Sequence, residues 1–164
     1  MKSSLRKHWP LLVASWIAIG FGAWLYGQSK PASSPTSSIE RGRYLVQVSG
    51  CNDCHTPGYL VNGGNVPHEQ WLIGDRLGWR GPWGTTYASN LRLYMSGMSE
   101  DGWVQVAKTL RARPPMPWFN LNAMSDADLR AIYQFVHSLG PAGEPAPGYL
   151  PPDQEPPMPY ALFP

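Results

Sequence analysis

The chain has 164 residues, of which 18 are proline and 17 glycine, and its formal charge is +2. That length allows one modest domain with appendages, and so much proline and glycine excludes a chain built mostly of regular secondary structure. The positive balance is confined to the start. Lys2, Arg6, Lys7 and Lys30 precede Ile39, and from there nine Arg and Lys face eleven Asp and Glu, a net of −2, so no basic surface for nucleic acid is expected.

Residues 1–8 carry Lys2, Arg6 and Lys7, and the following run from Trp9 to Gly27 has no charge. This reads as a secretion signal, either an uncleaved membrane anchor or a cleaved signal peptide. The anchor is preferred: the run is long enough to cross the hydrocarbon, Trp9, Trp24 and Tyr26 sit at its ends as interfacial aromatics do, and no clean A-x-A site is present. In both readings the positive end stays inside, which places the rest outside the cytoplasm, on the periplasmic side of a bacterial inner membrane. Residues 28–38 are a Ser/Pro-rich linker.

A first helix is predicted from Ile39 to Ser49, with Ser37 and Glu40 as a capping box and Tyr44, Leu45 and Val48 as its apolar stripe. It delivers the chain to Cys51-Asn52-Asp53-Cys54-His55, which reads C-x-x-C-H, the attachment signal for a c-type haem. Two residues between the cysteines put both sulfurs on one side of a helical turn, where each thiol can form a thioether to a haem vinyl group. The adjacent histidine can then reach the iron. Two other readings stand beside this one. A redox C-x-x-C would need a βαβ context, and a zinc site would need two more ligands, for which His8, His68 and His137 lack the spacing.

Between His55 and Met98 lie eight glycines and three prolines with Trp71, Trp79 and Trp83, and no period emerges. A loop this long is expected only if it wraps a rigid ligand that supplies the missing core. A second helix begins after Ser99, with Glu100 and Asp101 in its first turn and Trp103, Val106 and Leu110 at helical spacing; Pro114 stops it. A third starts at Ser125 with Asp128 at the capping-box position, buries Leu129, Ile132, Tyr133 and Val136, and ends at Gly140-Pro141. The domain is therefore expected to be all-α, three main helices and long loops around one covalent haem.

A histidine on one side of the iron leaves a second axial position. Met116 is the preferred ligand because Pro114-Pro115-Met116-Pro117 pre-sets an extended loop around the thioether. His68 and an open or water-bound site are the alternatives, and a core methionine is the ordinary fate. His/Met ligation fills both sites and raises the potential, which suits one-electron transfer. Residues 141–164 hold nine prolines among Tyr149, Leu150, Met158, Tyr160, Leu162 and Phe163, and are expected as a strap packed on the domain, with a partner-binding segment as the alternative.

Residues 39–140 resemble a class I cytochrome c domain, and most of all the monohaem cytochrome c domains of bacterial alcohol-dehydrogenase cytochrome subunits. The resemblance rests on Glu40-Arg41-Gly42-Arg43-Tyr44, on Cys51, Cys54 and His55, and on Met98-Ser99-Glu100-Asp101-Gly102-Trp103. It also rests on Arg113-Pro114-Pro115-Met116-Pro117-Trp118 and on the run from Met124 to Tyr133. It implies one haem c, with His55 and Met116 on the iron. It further implies that Pro67 offers its carbonyl to the proximal imidazole, fixing the tautomer. The loop from Trp83 to Leu91 resembles one that packs at the haem's acidic edge, so Trp83, Tyr87, Asn90 and Arg92 are the expected partners of the propionates. Only one C-x-x-C-H is present, and the proline-rich tail and Trp-rich middle are not general features of the class.

The expected function is one-electron transfer between a redox protein donor and acceptor, with no small-molecule substrate and no enzymatic activity of its own. The alternatives are a cytochrome subunit held permanently in a dehydrogenase or respiratory complex and, with less support, a haem sensor or peroxidase.

Overall fold

The computed structural model describes residues 35–164. The expected anchor or signal at 1–27 and most of the linker lie outside the described residues. Six α-helices and a small three-stranded sheet follow one another: α1 (Pro35–Val48), α2 (Cys51–His55), β1 (Gly78–Gly81), β2 (Gly84–Tyr87), α3 (Leu91–Ser96), α4 (Glu100–Thr109), α5 (Trp118–Ala123), α6 (Asp126–Ser138) and β3 (Tyr160–Leu162). The expectation of an all-α domain with three helices is thus corrected.

The three expected helices are present as α1, α4 and α6. α1 opens earlier than expected, at Pro35, so Ser37 lies inside the helix instead of capping it. A proline at the first helical position costs little, because its missing N–H has no intrahelical partner there. The buried face of α1 is Gly42, Leu45 and Val46, while Tyr44 and Val48 are exposed. Gly42 sets this face: a Cβ there would stand 2.0 Å from the Ala131 carbonyl oxygen, so the glycine lets α1 and α6 cross backbone to backbone. α4 and α6 start at true serine caps. Ser99 Oγ accepts from Gly102 N at 3.1 Å, and Ser125 Oγ accepts from Asp128 N at 3.1 Å. α6 buries Leu129, Ala131, Ile132, Phe135 and Val136 as the central element of the core. Each of its large aliphatic residues contributes about 1.5–3 kcal/mol on full burial.

α3 and α5 depart from the sequence expectation. Each has only six residues and lies beside glycine or proline, too short to display a helical period. The sheet has order β2-β1-β3, with β1 and β2 antiparallel and β3 parallel to β1. β3 belongs to the proline-rich C-terminal segment, which is also bridged through Leu150 to Thr85. Phe163 lies between Trp79 and Trp83, with ring centroids 5.9 and 5.6 Å away. Arg80 holds the same segment through Glu155 and the Gln154 carbonyl. Two edges of a hairpin that would be marginal alone are thereby covered.

Candidate haem site

α2 is a single turn, and it carries Cys51, Cys54 and His55 at i, i+3 and i+4, which share one face. Gly50 enters it with φ +72, a conformation that favours glycine. A buried polar chain then fixes the end of α2. Thr56 Oγ1 donates to Asn52 Oδ1 at 2.8 Å and accepts from Leu72 N at 2.8 Å, while Gly74 N donates to the His55 carbonyl at 2.9 Å. Leu72, fully buried at φ +62, passes the connection on: its carbonyl accepts from Leu91 N at 2.9 Å, at the start of α3. The backbone just ahead of α3 is so delivered to the histidine, and the Ser89 carbonyl oxygen lies 2.7 Å from His55 Nδ1.

A carbonyl oxygen only accepts, so Nδ1 carries the proton and the Nε2 lone pair is left free in the neutral ring. Burial holds the His55 pKa below its ordinary value, and the bond to Ser89 offsets part of this. Ser89 thus takes the place expected of Pro67. The Pro67 carbonyl instead accepts from Gln70 N at 2.9 Å, closing a 3-10 turn at His68–Gln70.

Both thiols are free and shifted toward the protonated form. Cys51 is pushed up to about 11, chiefly by burial, and Cys54 is also raised, again chiefly by burial. A redox C-x-x-C or a thiolate metal site works by the opposite shift. Among the described residues, no three His, Cys, Asp or Glu side chains gather where they could hold a metal ion.

Cys51, Cys54, His55 and Met116 line one cleft of about 990 Å³, at the upper end of the range for small-molecule and cofactor sites. Its walls are mostly apolar and include Val46, Trp103, Val106 and Leu121. Val48, exposed on α1, lines this cleft, as do Val106 and Leu110 of the expected α4 stripe, and Leu110 also packs against the helical core. Met95 and Met124 also line it; His68 does not, and its ring lies 4.2 Å from that of Trp71. The Met116 loop is gripped from the sheet, where Thr86 Oγ1 donates to the Pro114 carbonyl at 2.7 Å. From α5, Asn122 Oδ1 accepts from Arg111 at 2.6 Å.

The residues expected at the acidic edge divide. Tyr87 lines the cleft. Trp83 does not, and its indole N–H is buried without a partner. Asn90 caps α3 by accepting from Leu93 N at 3.0 Å, and its amide N–H donates to the carbonyls of Ala142 and Glu144 at 2.8 and 3.2 Å. Arg92 is buried and donates to the carbonyls of Gly140, Leu139 and Glu69, gathering the end of α6. Burial lowers its pKa. Asn90 and Arg92 are thus engaged with backbone carbonyls, and neither lines the cleft. Asn90 stands just before α3 and Arg92 in its first turn, and their carbonyl partners lie mostly just past the end of α6. Two kinds of contributor escape a reading of the sequence: Ser89, which acts through a backbone carbonyl, and the cleft-lining Trp79, Arg111, Arg113 and Tyr149.

The donor set fits a covalently held haem: two thiols, an imidazole with a free Nε2 and a thioether on one apolar cleft. Two of three curated relatives are named as cytochrome subunits. The cytochrome c subunit of the quinone alcohol dehydrogenase of Gluconobacter oxydans is 28% identical over 157 residues, 85% of this chain and 28% of that protein. The fructose dehydrogenase cytochrome subunit of Gluconobacter japonicus is 28% identical over 128 residues, 71% of this chain and 24% of that protein. This chain resembles the cytochrome c domains of dehydrogenase cytochrome subunits. A nicotinate dehydrogenase component of Pseudomonas putida is 25% identical over 157 residues, 85% of this chain and 11% of that protein. The chain thus spans about a quarter of the length of the first two relatives and about a tenth of the third. No family model and no solved structure matches it.

Proposed function

We propose that this chain carries one haem c in a class I cytochrome c fold and passes single electrons between redox proteins outside the cytoplasmic membrane, without being an enzyme itself. The observation that supports this reading is the convergence of Cys51, Cys54, His55 and Met116 on one apolar cleft. Cys51 and Cys54 would hold the group through thioethers, and His55 and Met116 would ligate its iron. Bound there, haem c supplies a one-electron ferric/ferrous couple. The chain's own part is positional. Ser89 fixes the imidazole tautomer and plane. Thr86 and Asn122 brace the loop that carries the thioether, and the apolar walls keep water from the metal.

Absorption spectra of the purified protein test the proposal. Covalent haem that survives acid extraction, with a weak ferric band at the red edge from iron–sulfur ligation, is the expected result. A ferric spectrum without that band, with ready carbon monoxide binding to the reduced protein, would favour a sensor or peroxidase.

The names of the relatives favour a second reading, a cytochrome subunit held in a dehydrogenase complex. Co-purification of the tagged chain with a dehydrogenase from membranes distinguishes it from a free carrier. No helix among the described residues is long and apolar enough to cross a membrane. Anchoring therefore rests on the run from Trp9 to Gly27, and the N-terminal sequence of the mature protein decides between anchor and cleaved signal.

A further inference from the structure

The charges around the cleft are one-sided. Of the residues that line it among those described, only Arg111 and Arg113 carry a full charge, and no Asp or Glu is present. The two arginines are not equivalent. Arg111 is already engaged: it donates to Asn122 Oδ1 at 2.6 Å and to the Leu110 carbonyl at 2.8 Å, and it lies 4.3 Å from the centre of the Trp118 ring. Arg113 forms no ion pair among the described residues, and its guanidinium lies 3.9 Å from the centre of the Tyr149 ring.

Tyr149 belongs to the C-terminal segment and also lines the cleft. Its hydroxyl donates to the Trp83 carbonyl at 2.9 Å. The next residue, Leu150, exchanges backbone bonds of 2.8 and 3.0 Å with Thr85. This close approach depends on Gly84, where φ is +98 and a Cβ would stand 2.3 Å from the Leu150 carbonyl oxygen. The sheet thus fixes the tyrosine ring, and the ring holds the guanidinium at a cleft whose walls are mostly apolar. An arginine stacked on an aromatic face keeps its N–H edge free for a carboxylate.

We propose that Arg113, positioned by Tyr149 of the C-terminal segment, is the counter-charge for the acidic side groups of the haem. This inference rests on the haem reading above. A fixed positive charge beside the ring stabilises the ferrous state, which carries one positive charge fewer than the ferric. The C-terminal segment would then be part of the cofactor site and set its potential.

The test is a redox titration of the full-length holoprotein, with haem content measured in every variant. Arg113→Gln is expected to keep its haem and to shift the ferric–ferrous equilibrium roughly tenfold toward ferric, about 59 mV for one electron. Arg113→Lys should recover most of that shift. Tyr149→Leu should move the potential in the same direction, and Tyr149→Phe, which keeps the ring, should move it much less. Unchanged potentials in haem-loaded Arg113→Gln would overturn the inference and leave the haem reading standing. A shift in Arg113→Gln with none in Tyr149→Leu would overturn the positioning role of the segment. Wild-type protein without covalent haem would overturn both readings.

Discussion

His55 Nδ1 and the Ser89 carbonyl oxygen lie 2.7 Å apart, although 34 residues separate them. The acceptor is main chain, so Ser89→Ala should leave the spectrum and potential of the haem protein unchanged. Gly74→Ala should not. Gly74 has φ +82, and a Cβ there would meet Asn90 N at 2.8 Å and the Ala88 carbonyl at 3.0 Å, pushing the segment that carries Ser89. A shifted axial-histidine N–H resonance in the reduced Gly74→Ala protein, absent from Ser89→Ala, is the expected nuclear magnetic resonance result.

Met116→Ala should keep the haem covalently attached, open the sixth position to carbon monoxide and lower the potential. Met95→Leu and Met124→Leu should do neither, although both methionines line the cleft. Retention of the red-edge ferric band in Met116→Ala, and its loss in one of the other two, would move the ligand to that residue.

Cys51→Ala or Cys54→Ala should impair covalent attachment. With a cleft of about 990 Å³ in a domain this small, the chain without its prosthetic group should unfold readily and be degraded. Haem staining and the yield of folded protein read this out together. Normal helical circular dichroism in a haem-free variant would argue against the point.

Arg92→Gln should act on stability and not on potential. The guanidinium donates to three backbone carbonyls, those of Gly140, Leu139 and Glu69. A hydrogen bond from a charged group contributes about 1.5–3 kcal/mol, and losing two of them should lower denaturant stability by ~3–6 kcal/mol. Arg92→Lys should rescue little, because an ammonium cannot span the fork. A clear potential shift at unchanged stability would return Arg92 to the cofactor.

Gly42→Ala adds one methyl where the Ala131 carbonyl oxygen would be 2.0 Å away. Forcing α1 off α6 should cost at least ~1–3 kcal/mol. Chemical denaturation of the holoprotein checks this, and an unchanged midpoint would show that the crossing has slack.

How much is legible in the sequence follows the range of the interactions. The caps Ser99 and Ser125 are readable because donor and acceptor lie three residues apart. The buried side of α6 is readable in part from its period: Leu129, Ile132 and Val136 are buried as expected, but Tyr133 is only half-buried and Phe135 fills the core instead. The start and the buried face of α1 both depart from expectation, because Gly42 counts as nothing on an apolar scale yet marks the crossing. α3, α5 and the sheet leave no signal, because each is held by distant partners and none is long enough to show a period of its own.

The sequence by itself determined the haem motif. Cys51, Cys54 and His55 lie within one turn of helix, and local geometry alone brings them onto one face. Met116 stands out for a similarly local reason, its flanking prolines. Only the tertiary structure decided which distant groups lie beside those residues. Ser89 takes the place expected of Pro67, Arg92 is drawn away to the end of α6, and Tyr149 and Arg113 meet at the rim. The physical reason is that a backbone carbonyl has no signature in the sequence. An arginine's partner, likewise, is set by which elements pack against it and not by its neighbours in the chain.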